Sequence, residues 1–326
     1  MEHRCRAGVA AALHGCRHAV ALQPGLSPAP TVATMRQAAA DGDGRVRPYA
    51  THRGAAPLGD RLLAAALGLL AAVALVGLVF PSLLVMISSF NASDLLTFPP
   101  QGWSFRWYAA MANNWEVRQA ALLSLKVAAL VVIIDLLLGV PAAFPLTRAR
   151  FRARDVLMTF ILAPLMLPGL VVGIALLFFY ILLGLALSLP LLVISHVVVT
   201  LPFIVSMTSA RLATMDPTYE EAALNLGASQ FQKFVHIVLP QLWPGIAAGA
   251  AFAFLLSFDN FAVSLFTASD RLRPLPILLF YLLRYDINPL VSAVSTLEIG
   301  LALFVLLVGS RLLGLARVAQ LGRRVA

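Results

Sequence analysis

Asp259 and Glu298 stand inside long apolar runs, as do Lys126, Asp135 and His196. An ionisable group at the centre of a membrane helix costs at least about 2.5 kcal/mol, so such residues mark passages, proton relays or internal ion pairs. Asp259 falls eight residues, and Glu298 nine, from the expected outer ends of their apolar segments at 267 and 289, roughly 12 Å deep at 1.5 Å per residue. The two carboxylates can therefore share one layer, and Lys126 and His196 fall in a similar band. Two readings stay open. Lys126 forms an internal salt bridge with a carboxylate, or Asp259, Asn260, Glu298, Lys126 and His196 line a polar translocation path in the outer half. Asp135 lies deeper, and its sequence context assigns it no role.

Patterns for covalent or metal chemistry are missing. Neither H-E-x-x-H nor G-x-S-x-G occurs, and with Lys126 and Lys233 as the only lysines no G-x-x-x-x-G-K-[ST] phosphate loop can be written. Cys5 and Cys16 both lie near the N-terminus, where they give neither a disulfide framework nor a paired metal site. The chain is thus expected to be noncatalytic, with no metal and no cofactor of its own.

A different kind of signal lies between 211 and 241. Asp216 followed by Pro217 is a helix start, a capping side chain and then the residue that fits the first helical position. Glu220 and Glu221 fall in the first turns, where the helix dipole favours negative charge, and Gly227 can end the helix. These residues predict a short helix of about ten residues outside the bilayer, read either as an interfacial helix or as a docking element.

The elements that must position these residues follow from composition. Of 326 residues 60% are hydrophobic and 12% charged, with a mean hydropathy of +0.87; a soluble domain carries roughly 25% charge and 45–50% apolar residues. Between Asp155 and Arg211 run 55 residues without Asp, Glu, Lys or Arg, more than two crossings at about 20 residues each. A soluble enzyme is excluded. Six segments, 62–90, 120–146, 156–183, 189–210, 242–267 and 289–309, can each span the hydrocarbon as one helix. The fold class is therefore all-α and integral to the membrane. The boundary between the third and fourth segments rests only on 184–188 and Pro190. Gly169 to Gly173 and Gly245 to Gly249 have the spacing of close helix packing, and Pro141, Pro145, Pro164, Pro168 and Pro202 are expected to bend their spans.

The net charge of +9 orients the chain and does not mark a nucleic-acid surface. Fourteen Lys and Arg fall on the side of the N-terminus, among them Arg148, Arg150, Arg152, Arg154, Arg211 and Lys233, against six on the other, among them Arg106, Lys126 and Arg273. Both termini and the loop with Glu221 are expected in the cytoplasm, with Trp103 and Arg273 outside. Residues 1–57, rich in Ala, Gly, Pro and Arg, read as a disordered tail or a mis-called start; a signal peptide is the rival, but His14, Arg17 and His18 interrupt its apolar run. The membrane domain then covers 58–317, and 318–326 form a cytoplasmic tail.

The run Glu221-Ala222-Ala223-Leu224-Asn225-Leu226-Gly227, followed after nine residues by Ile237-Val238-Leu239-Pro240, resembles the EAA motif (E-A-A-x-x-x-G-x9-I-x-L-P) of permease subunits in ATP-binding-cassette importers. Within that family Phe90-Asn91-Ala92-Ser93, Leu167-Pro168-Gly169 and Leu256-Ser257-Phe258-Asp259 resemble the second permease of spermidine/putrescine importers, from about Leu58 to the C-terminus. The resemblance implies a type I importer permease of six transmembrane helices in a bacterial inner membrane. It implies as partners a dimer of cytoplasmic ATPases that consume ATP, a second homologous permease, an external solute-binding protein and the surrounding lipid. It also implies that the loop carries Glu220, Glu221, Ala222, Ala223, Gly227, Ile237, Leu239 and Pro240 for coupling to the ATPase. Glu220 reads as a solvated helix charge and Glu221 as the partner-facing one. Asn260 departs from related polyamine permeases, which often have a second acidic residue there, so the number of positive charges on the solute stays open. The rivals are an ion-coupled secondary transporter, using Asp135, Asp259 and Glu298, and a membrane-embedded enzyme.

Overall fold

The computed structural model describes residues 58–149, 151–285 and 288–325. Residues 1–57, expected to form a disordered tail, lie outside the described residues; the chain divides into two units at Leu69 and Leu70, the first described only over the opening turns of one helix. Among the described residues the structure is helical, with isolated bridges at Asn91–Trp103 and Ser269–Leu272 and no strand.

Twelve helices follow in order among the described residues: α1 (Leu58–Ser88), α2 (Arg106–Asn113), α3 (Trp115–Arg148), α4 (Arg154–Met166), α5 (Gly169–Leu182), α6 (Leu189–Ala213), α7 (Thr218–Asn225), α8 (Gln230–Lys233), α9 (Leu239–Phe258), α10 (Phe261–Thr267), α11 (Leu275–Tyr285) and α12 (Pro289–Val325). A π-helical turn, Phe234–Val238, joins α8 to α9. Among the described residues five stretches are long and apolar enough to cross a membrane: Leu62–Ser88, Trp115–Arg148, Leu189–Ala213, Gln230–Phe258 and Pro289–Arg311. The bent pair α4 and α5, taken together, makes a sixth.

Three helices form the core. α3, α6 and α9 pack on one another through Val140, Ile204, Leu242 and Ile246 at one level and, between α3 and α6, Val127, Val131, Leu192 and Val193 at another. Each buried Leu, Ile or Val contributes about 1.5–3 kcal/mol relative to exposure in water, but in lipid the tails are equally apolar and close contact decides association. Small residues supply that contact. A Cβ at Gly249 would lie 3.2 Å from Ile204 Cα, and one at Gly139 would lie 2.7 Å from Ile204 Cγ2. The Gly245 to Gly249 spacing thus does what the sequence indicated. α3 starts under an Asn114 cap that accepts from the Val117 N–H at 3.1 Å, with Glu116 in its first turn and Arg148 in its last, as the dipole favours.

Two expected spans are not single helices. The segment 156–183 breaks at Leu167 and Pro168, where α4 and α5 diverge by 109°. Pro164 and Pro168 each lack the N–H that a continuous helix needs, and Pro168 disfavours helical geometry in the residue before it. The segment 242–267 breaks at Asp259 and Asn260, between α9 and α10. Gly169 and Gly173 pack these half-helices together, for a Cβ at Gly173 would lie 2.9 Å from the Ala262 carbonyl. The last helix runs on past 309 and through the expected tail to Val325. Helices α2 and α11 lie outside the six expected segments.

Candidate functional site: the loop helix and the acidic helix break

Helix α7 begins one residue after the expected start. Asp216 Oδ1 accepts from the Thr218 N–H at 2.9 Å and from its hydroxyl at 2.7 Å, which holds the Asp216 carboxyl below the usual carboxylate range. The helix ends in a Schellman turn: the Gly227 N–H donates to Leu224 O at 2.9 Å and the Ala228 N–H to Ala223 O at 3.1 Å. Gly227 has a φ of +86°, the left-handed conformation that such a turn requires and that glycine adopts without strain. The four-residue spacing of Ala223 and Gly227 is therefore the spacing of a helix stop.

Glu220 differs from its reading as a solvated charge. It is 8% exposed, and its two oxygens face two cations: Arg148 Nη2 lies 3.2 Å from Oε1 and Lys233 Nζ 3.2 Å from Oε2. Arg148 also donates to Met215 O at 3.0 Å, and Lys233 sits 5.5 Å over the Phe144 ring. Glu221, Ala222, Leu224 and Leu226 are exposed, Leu226 most of all. Arg148 and Lys233 are the residues that sequence reasoning missed here. The signal was present in a weak form, since Lys233 is one of two lysines and Arg148 opens a basic cluster.

Beyond α7, Ser229 and Gln232 form a reciprocal capping box that starts α8, with the Ser229 N–H donating to Gln232 Oε1 at 2.8 Å and the Gln232 N–H to Ser229 Oγ at 3.2 Å. Ile237 lies in the π turn, and Leu239 and Pro240 open α9. Pro240 cannot donate back to the carbonyl of residue 236 and its ring crowds that carbonyl, which accounts for the widened turn directly before it. The motif residues thus form one connector from loop to span.

At the second break, Asp259 ends α9 with its side chain exposed, while Asn260 caps α10 by accepting from the Val263 N–H at 3.0 Å. Glu298 on α12 is half-buried and has one oxygen without a partner among the described residues, and α12 packs on α9, which ends at Asp259. His196 is fully buried and tied to both sides of the break, with Nδ1 2.9 Å from Ser257 Oγ and Nε2 3.0 Å from Ser264 Oγ. Lys126 is exposed on α3 and forms no ion pair with Asp259 or Glu298. Asp135 is fully buried on α3, with Thr200 beside it. No group of three or more His, Cys, Asp or Glu that could hold a metal occurs among the described residues.

Residues 135–321 match the family described as "Binding-protein-dependent transport system inner membrane component". The chain is 34% identical over 227 residues to the putrescine transport system permease protein PotI of Escherichia coli, a match that covers 68% of this chain and 80% of that protein. To the spermidine/putrescine transport system permease protein PotC of Escherichia coli it is 34% identical over 236 residues, 72% of this chain and 89% of that one. Among solved structures, a chain of a bacterial ABC transporter involved in the import of the acidic polysaccharide alginate superposes with a TM-score of 0.61 at 17% identity, over 78% of this chain and 98% of that one. The chain belongs to the binding-protein-dependent transport system inner membrane components, the noncatalytic, multi-pass permease subunits of ATP-binding-cassette importers.

Proposed function

We propose that this permease carries polyamines or a related small organic cation, and that Asp259 and Glu298 form the acidic layer that such a cation meets. The observation that supports the substrate class is the placing of two carboxyl groups on packed elements, Asp259 at the α9–α10 break and Glu298 on α12 against α9. Carboxylates at reduced dielectric lower the barrier to a cation by Coulomb attraction, and Lys126 forms no ion pair with either of them. Asn260 caps α10 where related polyamine permeases often have an acid, and Glu298 brings a second carboxyl group from another helix. The 34% identity to permeases of putrescine and spermidine systems supports the same reading.

In this reading both termini and α7 face the cytoplasm. An external binding protein delivers the solute, and a second, homologous permease completes the path. Two cytoplasmic ATPase subunits hydrolyse the ATP. The α7 surface with Tyr219, Glu221 and Leu226 docks on an ATPase, and Ile237, Leu239 and Pro240 carry its movement into α9. Uptake of labelled putrescine into proteoliposomes holding the complex, its external binding protein and internal ATP tests the function. ATP-dependent accumulation is expected, reduced at least tenfold by Asp259→Asn with Glu298→Gln. Absence of binding of putrescine and spermidine by the cognate external protein overturns the substrate class.

A further inference from the structure

We propose that Glu220 does not face the partner ATPase but clamps the loop helix α7 to the ends of two membrane spans, so that α7, the end of α3 and the head of α9 move as one body. The inference rests on the coupling role proposed above for α7 and goes further by assigning the internal joint. Three elements meet at one carboxylate. Arg148 comes from the last turn of α3 and approaches Oε1 at 3.2 Å. Lys233 comes from α8 and approaches Oε2 at 3.2 Å.

Because α8, the π turn and α9 follow without a loop, Lys233 stands at the head of the continuous stretch Gln230–Phe258. One ion pair acts as a hinge. Two, reaching separate oxygens of one carboxylate from separate elements, tie it to both by charge attraction, with Oε1 making no hydrogen bond among the described residues. A second contact reinforces each arm: Arg148 holds Met215 O just before α7, and Phe144 of α3 meets both Lys233 and the edge of Phe234, at a ring distance of 6.0 Å. The joint is sheltered, with Glu220 and Lys233 both 8% exposed, whereas Glu221 one residue on is exposed. Neighbouring carboxylates thus divide two tasks, one turned inward to the spans and one outward. Through α3 and α9 the joint reaches both helices that flank α6 in the core.

The test uses the full complex with its ATPase in nanodiscs. Nitroxides are placed at Leu138→Cys on α3 and Asn225→Cys on α7 in a background with Cys5→Ser and Cys16→Ser, and the inter-label distance is read without nucleotide and after trapping with ATP and vanadate. With Glu220 present, one narrow distance is expected in both states. In Glu220→Gln the single distance is expected to be lost on trapping, while the ATPase still co-purifies. Lys233→Arg, which keeps the charge, is expected to restore the narrow distance that Lys233→Gln loses. Should Glu220→Gln fail to accumulate, Lys233→Gln reads the same joint under the same criteria. A narrow, unchanged distance in Glu220→Gln overturns the clamp, and so does loss of ATPase co-purification in that variant, which places Glu220 at the partner surface. Failure of the coupling role is separate: the parent protein with Glu220 intact then does not retain the ATPase.

Discussion

Gly245 of α9 lies so close to Arg211 of α6 that a Cβ on the glycine would stand 2.7 Å from the arginine Cβ, and 2.9 Å from the Met207 carbonyl oxygen. Arg211 in turn donates through Nε to Gln241 O at 2.9 Å, one turn before the glycine. The crossing is therefore fixed on both sides, by absence of a side chain and by a charged hydrogen bond. Gly245→Val is expected to force the helices apart at a cost of about 1–3 kcal/mol. A lowered midpoint of thermal aggregation in detergent, with normal insertion into the membrane, is the expected result; an unchanged midpoint contradicts the close packing.

The pairing of His196 with Ser257 and Ser264 predicts a stability effect without a change in topology. Ser257→Ala leaves one buried ring nitrogen without its partner, a loss of about 1–3 kcal/mol. Ser264→Ala removes the other contact and is expected to cost a similar amount. The readout is thermal unfolding of the purified chain. Equal stability of both variants and the wild type refutes the bracket across the helix break.

Charge at the acidic layer is tested by shape-preserving substitutions. Asp259→Asn is expected to reduce putrescine uptake at least tenfold at unchanged protein level, and Glu298→Gln to reduce it less, since Glu298 is the more enclosed of the two. Wild-type uptake in both variants removes them from the path.

Gly227→Val is expected to disturb the exit of α7. A β-branched residue held at a φ of +86° costs about 1–2 kcal/mol, whereas no atom crowds the position itself. The loss should appear as weaker retention of the ATPase and slower transport, with the chain still inserted. Gly227→Asn, which tolerates that conformation better, is expected to retain more of both activities.

Much of this architecture was legible in the residues. Apolar length located α1, α3, α6 and the cores of α9 and α12, because hydrocarbon thickness imposes one long run per crossing. Asp216 and Gly227 marked the limits of α7 to within two residues, since capping and helix-stop chemistry are local. The bend at Pro164 and Pro168 is legible from the prolines but its 109° extent is not, and the break at Asn260 escapes the same reasoning: hydropathy is blind to direction, and a half-helix pair is as apolar as one straight span. Glu220 was misplaced for a related reason. Its burial depends on Arg148 and Lys233, 72 residues before it and 13 after it, and no local pattern brings those two together. Depth alone puts Asp259 and Glu298 in one layer, whereas the packing of α9 on α12, which sets their mutual approach, is not written in either segment.

The 109° turn between α4 and α5 also bears on how the chain is made. With 13 and 14 residues, neither half reaches across the hydrocarbon at 1.5 Å per residue. The small-residue face of α5 finds its mate in α10, where Gly173 meets Val263 ninety residues later in the chain. During synthesis that face emerges long before its mate exists. Final seating of the bent segment must therefore wait for the fifth crossing to leave the ribosome, which makes this permease a late-assembling one whose third crossing is provisional until its last quarter has been translated.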